Sequence, residues 1–567
     1  MNSLTLTFYF KELIEPKNFI EHIIEDDIKN GFPPANLKFR FPPEPNGFLH
    51  IGHVKAICIN FNLAKKYNAP IVLRFDDTNP EKEEQQYIDA IKKDISWLGF
   101  KWTEERFASD YFINLFNWAE ELVKNNKAYV ESQTSEKIAQ QKGTPTQAGL
   151  NSPFRDRSVE ENLDLFYQMK EGKHKEGAHV LRAKIDMSSP NMLMRDPVIY
   201  RVLKKSHPRT KNNWVVYPMY DWAHGESDYI EQISHSLCTL EFEPHRELYD
   251  WFLDQVVKTN KIRPKQREFA RLNLSHTITS KRKLMYLVEQ GHVSGWDDPR
   301  MPTVSGLRRR GYPPGSLVSF VNTVGVAKRE NTIEASLLEF CAREELNKSS
   351  KRVMVVLDPL KITITNYPKG KNELIKTENN PEDLSSGLRE VPFDREILIE
   401  KEDFRVEANR KFFRLKIGKE VRLKSAYIIC ANEVVYDKNK NIVEVKCTYD
   451  PLSKSGSGTT ESQRKVKGTL HWVSKKNAVS VEVREYDRLF INPSPSEAKT
   501  NEDLNKMLNP NSVRVLKAFA EPSVKNSKQG DRFQFQRKGY FVVDKETNNN
   551  KIIFNKTVGL RDNWKSN

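Results

Sequence analysis

The chain has 567 residues, more than one hydrophobic core organises, and a prior of roughly 100–200 residues per domain implies three to five units. Its 91 Lys and Arg against 76 Asp and Glu leave a formal net charge of +15, which favours a polyanionic partner through steering and counterion release, although basic surfaces also serve solubility. No apolar run reaches the ~18 residues of a membrane helix, the Met1–Phe10 stretch lacks a basic leader before Lys11 and Glu12, and Cys58, Cys238, Cys341, Cys430 and Cys447 show no CxxC spacing. A reduced, cytoplasmic protein with no membrane association, no disulfide framework and no metal ligands is the expectation.

The first informative stretch is Arg40-Phe41-Pro42-Pro43-Glu44-Pro45-Asn46-Gly47-Phe48-Leu49-His50-Ile51-Gly52-His53, which reads as a strand, a Pro/Gly turn and a helix. Two histidines three apart fall on one helix face, where both reach a phosphate at the helix N-terminus, and Gly52 permits close approach of a base. Pro70 to Pro80 is an apolar strand ending in Asp76 and Asp77, so strand, helix, strand begins a parallel α/β sheet whose ligands lie beyond the strands' carboxyl ends. Tyr87, Ile88, Ile91, Ile95 and Leu98 have helical spacing and predict a packing helix.

Residues 111–210 are polar, with breaks at Gly143-Thr144-Pro145 and Asn151-Ser152-Pro153, and read as an insertion. Phe154-Arg155-Asp156-Arg157 and Leu181-Arg182-Ala183-Lys184 give it a basic face, which charge pattern alone fits to a solvated surface equally well. The parallel sheet is expected to resume around Trp214–Trp222, and Ser280-Lys281-Arg282-Lys283 to form a basic, flexible loop. Residues 286–351 read as a helical connector with a turn at Arg308–Pro314. From 352 to 567, period-2 runs such as Val421–Lys424, Ile442–Tyr449 and Val479–Arg484 predict two β-barrels, and Ser453–Ser462 a mobile Ser/Gly/Thr loop.

His50-Ile51-Gly52-His53 spells the HIGH signature of class I aminoacyl-tRNA synthetases, and the flanking Pro-Pro-Glu-Pro-Asn-Gly resembles the version in the glutaminyl-tRNA synthetase family. Thr277-Ile278-Thr279-Ser280-Lys281-Arg282-Lys283 is similar to the second signature, KMSKS, but Ile278 replaces its first Lys, Thr279 its Met and Arg282 its last Ser. The resemblance runs from about residue 18 to 565, through Val558-Gly559-Leu560-Arg561-Asp562-Asn563-Trp564. It implies an α/β protein: a Rossmann-type catalytic domain at 1–110 and 211–285, interrupted by an acceptor-end-binding insertion, then the connector and two anticodon-binding β-barrels.

The implied chemistry is attack of an amino-acid carboxylate on the α-phosphate of ATP, which calls for positioning and cations more than a protein nucleophile. By resemblance, His50, His53 and Lys281 are catalytic. ATP binding is assigned to Glu44, Asn46, His50, His53, Thr239, Ser280 and Lys281, with Mg²⁺ bridging phosphate oxygens. Arg40, Asp76, Tyr220, His224 and Cys238 bind glutamine, and Arg389, Arg464 and Gln534 contact tRNA(Gln). The related glutamyl enzymes tend to carry Arg where Cys238 stands. A site lacking that cation accepts an amide and leaves a carboxylate uncompensated, a polar mismatch worth about 10⁴–10⁵ in discrimination. Pro244 stands where bacterial relatives read the acceptor stem with an acid. The expectation is a monomer; a glutamyl enzyme and a non-catalytic tRNA-binding paralogue are the alternatives.

Overall fold

The computed structural model describes residues 17–81, 84–258 and 261–561; the Met1–Phe10 stretch and the Asp562–Trp564 end of the sequence resemblance lie outside the described residues. Two compact units divide the chain. The first combines the chain up to Gly47 with Gly52–Leu272 and Val321–Asn331; the second combines Phe48–Ile51, Asn273–Phe320 and the chain from Thr332 onward.

The first unit opens with α1 (Phe19–Lys29), β1 (Phe39–Phe41), α2 (Ile51–Lys66), β2 (Ile71–Phe75), α3 (Gln85–Trp97) and β3 (Glu104–Phe107). The three strands form a parallel sheet in the order β1-β2-β3, with Arg40 opposite Val72 and Arg74 opposite Arg106. All five residues of β2 are buried, as a strand covered on both faces requires. On α3 the helical spacing is fulfilled by Ile88, Ile91 and Ile95, which face the core. Next come α4 (Phe112–Lys124), β4 (Ala128–Glu131), α5 (Ser135–Gln141), α6 (Val159–Lys170), β5 (Val180–Ala183), β6 (Val198–Val202) and β7 (Val216–Pro218). Strands β4 to β7 make a four-stranded antiparallel sheet in chain order.

One expectation changes here. The Trp214–Trp222 run does not resume the parallel sheet: β7 pairs antiparallel with β6, Arg201 opposite Tyr217. An apolar strand states that it is buried but not which neighbour it pairs with. After β7 follow α7 (Tyr220–Ile230), β8 (His235–Thr239), α8 (Arg246–Val256) and β9 (Lys265–Phe269), with β8 and β9 parallel. Ser234 donates its N–H to Lys38 O at 3.0 Å, which sets β8 beside β1. Phe116, Phe166, Tyr200, Trp222 and Phe252 share one core, with the Phe116 and Phe166 rings stacked at 4.5 Å.

In the second unit, α9 (Lys281–Glu289), α10 (Val304–Arg310), α11 (Pro314–Val324) and α12 (Ala335–Ser349) precede two seven-stranded, barrel-like sheets. The alternating runs are strands as read: Glu420–Leu423 and Ile442–Tyr449 in one sheet, Val479–Tyr486 in the other. Two local readings are revised. Lys281 is the first residue of a helix rather than part of a loop, and Arg308, Arg309 and Arg310 form the last turn of α10, the turn itself being Gly311 to Pro313. The Ser453–Ser462 loop is braced by Arg422, whose guanidinium donates to Ser453 O at 2.9 Å and Ser462 O at 2.8 Å.

Gly311 ends α10 at φ 103°, and a Cβ there would run into Thr557 Oγ1 and Val542. Left-handed backbone costs a non-glycine residue about 1–2 kcal/mol and overpacking about 1–3 kcal/mol. Gly311→Ala is therefore expected to lower stability by about 2–4 kcal/mol, read as a drop in thermal midpoint.

Candidate active site

The first unit gathers a polar cluster where β1, β2, α7 and β8 meet. Arg40, on β1, is wholly buried. Its Nε donates to Asp228 Oδ1 at 3.1 Å, Nη1 to Leu237 O at 2.6 Å, and Nη2 to Ser236 Oγ at 2.7 Å and His224 Nε2 at 3.2 Å. Arg74, on β2, reaches Asp228 Oδ1 and Glu231 Oε2, each at 2.8 Å. Burial alone would raise the Asp228 pKa, but the two guanidiniums outweigh it and hold the carboxyl well below its usual range. Ser236 and Tyr249 donate to its other oxygen at 2.6 and 3.1 Å.

This network amends the reading of Cys238. The pocket does contain cations, Arg40 and Arg74, contributed by other strands. Among the described residues Asp228 and Glu231 pair with them, so both guanidiniums already have carboxyl partners. Cys238 lies at the end of β8, its thiol pushed up to about 12 by burial, and donates weakly to Arg267 O at 3.8 Å.

Guanidinium has no acceptor, so the His224 Nε2 facing Arg40 must accept; the imidazole is neutral and its proton sits on Nδ1. Burial drives the His224 pKa down to about 3, consistent with that state. Nδ1 is buried with no hydrogen-bond partner among the described residues, so its N–H is a donor ready for a substrate oxygen or a water. Tyr220 stacks on His224 with ring centroids 5.0 Å apart, and burial followed by the charge of Asp76 keeps its hydroxyl protonated. Asp76 follows β2 and is buried. Asp77 beside it is turned to structure, accepting from Ser109 N at 2.8 Å and Ser109 Oγ at 2.6 Å. The five glutamine-assigned residues thus belong to one unit, and four lie on β1, α7 and β8.

Of the ATP-assigned residues, Glu44 is exposed on the turn after β1 and accepts from the Asn46 amide. Thr239 ends β8 with its hydroxyl on Glu241 Oε1 at 2.8 Å. His53 lies in the first turn of α2, its pKa lowered to about 4 by burial, so it offers neutral N–H and acceptor functions. His50 is not on the helix face expected of it. It precedes α2 and forms an antiparallel bridge with Thr303 in the second unit, where Ile51 N also donates to Pro302 O at 2.9 Å.

Ser280 and Lys281 stand at the N-terminus of α9 in that second unit. Ile278, the departure from the second signature, is buried with Leu284, Leu287, Phe490 and Leu504, which explains an apolar residue there. The approach to Lys281 is fixed by His276, at φ 58°, whose N–H donates to Pro493 O at 2.8 Å. Lys283 donates to Ser496 O at 2.7 Å and Ala498 O at 2.8 Å.

The tRNA-assigned residues fare differently. Gln534 lines a cavity of about 350 Å³ with Arg352, Lys424, His471, Gln536 and Arg537, basic and amide groups that sequence reasoning did not single out. Arg464 is half-exposed, with Nη2 at 3.1 Å from both Glu420 and Asp450. Arg389 is also paired. Its guanidinium grips the fully buried Glu521, with Nη2 at 3.1 Å, and this ion pair joins Arg389 to the segment just after Val513–Ala520.

Comparison with known proteins joins these observations. Residues 36–348 match the family described as tRNA synthetases class I (E and Q), catalytic domain; residues 350–450 and 469–544 match its two anti-codon binding domains. The chain belongs to the class I (E and Q) tRNA synthetase family. Within that family it is 54% identical to a glutamine–tRNA ligase of Rhodopirellula baltica, over 97% of this chain and 90% of the relative. It is 51% identical to those of Bradyrhizobium diazoefficiens and Salmonella paratyphi B, over 97% of this chain and 97% and 98% of theirs. A solved glutamate tRNA ligase from Elizabethkingia meningosepticum is a remote likeness, 18% identical over 56% of this chain and 70% of its own, with a TM-score of 0.42. Among the described residues, no helix is long and apolar enough to cross a membrane.

Proposed function

We propose that this class I synthetase is a glutamine–tRNA ligase. It activates L-glutamine with ATP to glutaminyl-adenylate and transfers the glutaminyl group to the 2′-OH of the terminal adenosine of tRNA(Gln), releasing pyrophosphate and AMP. The observation that carries this reading is the 54% identity to a glutamine–tRNA ligase across 97% of the chain. The compensated charges around Cys238 support the amide over the carboxylate, since a buried carboxylate would lack a cation of its own.

In this reading Asp76 takes the α-ammonium, and the His224 Nδ1–H and Tyr220 hydroxyl face the side chain directly or through water. The glutamine carboxylate is the nucleophile, so the protein's task is to orient it in line with the α-phosphate and stabilise departing pyrophosphate. By the family resemblance, His53, a neutral imidazole, and separately His50 and Lys281 are each assigned to phosphate oxygens. Mg²⁺ would neutralise the triphosphate, held chiefly by nucleotide oxygens and water. Binding of tRNA is required before activation, the barrels take the anticodon, and the enzyme acts as a cytoplasmic monomer.

Pyrophosphate exchange tests the reading. Exchange is expected with glutamine plus tRNA carrying a glutamine anticodon, and not with glutamate or without tRNA. Exchange with glutamate would overturn the amide assignment, and tRNA binding without any exchange would indicate a non-catalytic relative.

A further inference from the structure

Glu226 lies at the centre of the first unit with no surface exposure, and neither carboxyl oxygen has a hydrogen-bond partner among the described residues. Two more buried polar atoms beside it share that condition: the Tyr200 hydroxyl on β6 and the Trp222 indole Nε1 one turn earlier on α7. Tyr200 lies within electrostatic reach of Glu226 and close to the Trp222 indole, at the margin of a hydrogen bond with it. The surroundings are apolar, including Phe116, Phe166 and Phe252. Three under-satisfied groups, an indole donor, a hydroxyl and a carboxyl that both donates and accepts when protonated, are what a buried water with about 2–4 polar contacts needs.

The position on α7 gives the cluster a role. Residues four apart share a helix face, so Trp222 and Glu226 look toward β6 while Tyr220, His224 and Asp228 look the other way. Charged and titratable groups around the helix are committed elsewhere. Arg40 from β1, Arg74 from β2 and Tyr249 from α8 engage Asp228; Tyr111, from the turn before α4, engages Glu231; His245 engages Asp221. None of them hydrogen-bonds to Glu226.

We infer that Glu226, Tyr200 and Trp222 enclose an internal water site, and that this pocket positions the face of α7 bearing Tyr220 and His224. Glu226 serves there as a protonated carboxylic acid: burial, then the nearby Asp228 charge, raises its pKa well above the ordinary value. The link to glutamine rests on the amino-acid site proposed above; the water site and the protonated acid do not.

The sign of the pH effect follows. An acid whose pKa is higher folded than unfolded binds more protons in the folded state, so stability falls as pH rises from the unfolded value toward the folded one. Thermal unfolding of the wild type and Glu226→Gln from about pH 5 to about pH 9 is expected to favour the variant increasingly, by up to about tenfold per pH unit in the folding equilibrium. Parallel curves would overturn the protonated acid. Glu226→Leu, which leaves Tyr200 and Trp222 without the carboxyl, is expected to raise the KM for glutamine about fivefold or more while the ATP KM and kcat hold within about twofold. Glu226→Gln should retain the wild-type KM. An unchanged glutamine KM in Glu226→Leu, or equal rises for glutamine and ATP, would overturn the positioning role. If Glu226→Leu does not fold, Tyr200→Phe gives the same readout with one hydroxyl removed. A protein inactive with glutamine would fail the functional reading, while the pH comparison still decides Glu226.

Discussion

Asp228→Ala is expected to be the most destabilising single change in the first unit. Both Arg40 and Arg74 lie in the interior and share Oδ1 of this carboxylate, at 3.1 and 2.8 Å. Removing the anion leaves Arg40 with neutral hydrogen-bond acceptors alone and Arg74 with Glu231 and the nearby charge of Asp76. Breaking one buried pair from one side typically costs about 3–5 kcal/mol, because an uncompensated charge remains in the interior. With two cations sharing the lost partner, the expected loss is at or above the upper end, about 5 kcal/mol, seen as a large fall in the midpoint of urea unfolding. Asp228→Asn, which keeps an oxygen toward Arg40 and Arg74 but not the charge, should lie between. The acid limb is the second check. A carboxyl whose folded pKa is depressed contributes stability present above its unfolded pKa and lost as pH falls through the folded value. The wild type should therefore lose stability relative to Asp228→Asn as pH is lowered below about 4. A small loss in Asp228→Ala would mean that water reaches the guanidiniums and that the site is wetter than its burial implies.

That network also marks where sequence reading stopped. The strand, turn and helix from Arg40 to His53 and the alternating strands of the second half are written in local pattern, and the folded chain has them. The charge state of the amino-acid pocket is not local. Arg40 reaches Leu237, 197 positions away, because β1 lies beside β8, and it also reaches Asp228 on α7, proximities that no periodicity discloses. Looking only at Cys238, the residue in place of the family's arginine, left out the charges that Arg40 and Arg74 bring from other strands. Arg389, assigned to the anticodon by resemblance, likewise has a partner that local pattern does not disclose, Glu521, 132 positions away.

Other features did leave a trace. Glu226 is an acid one turn after Trp222 within an apolar helix face, an inconsistency between pattern and residue type that signals a special site. Ser280 followed by Leu284, Leu287 and Val288 is a helix-start signal, overshadowed by the expectation of a mobile signature loop. Ile278 looked like a departure from a motif and is a core residue, so the motif's irregularity is a packing demand.

The placement of Lys281 at the head of α9 leads to the largest expected effect on activity. The first N–H groups of a helix and its macrodipole already favour an anion, and a lysine at that position adds a full charge on a flexible stem. For adenylate formation the charge that develops is on departing pyrophosphate, so the contribution is greatest in the transition state. Loss of one such preorganised contact typically costs about 10²–10³ in kcat. Lys281→Ala is accordingly expected to reduce the rate of glutamine-dependent pyrophosphate exchange by about 10²–10³, with KM for glutamine little changed. Thermal stability should be unaffected, because Lys281 is not buried and Ile278, Leu284 and Leu287 hold the segment. Arg282, the exposed neighbour of equal charge, provides the control. If Arg282→Ala loses as much activity, the effect belongs to the general field of a basic segment and falls away with added salt. If only Lys281→Ala loses it, and salt does not reproduce the defect, the ammonium acts at a defined place on the nucleotide, as a class I signature lysine at a helix N-terminus requires.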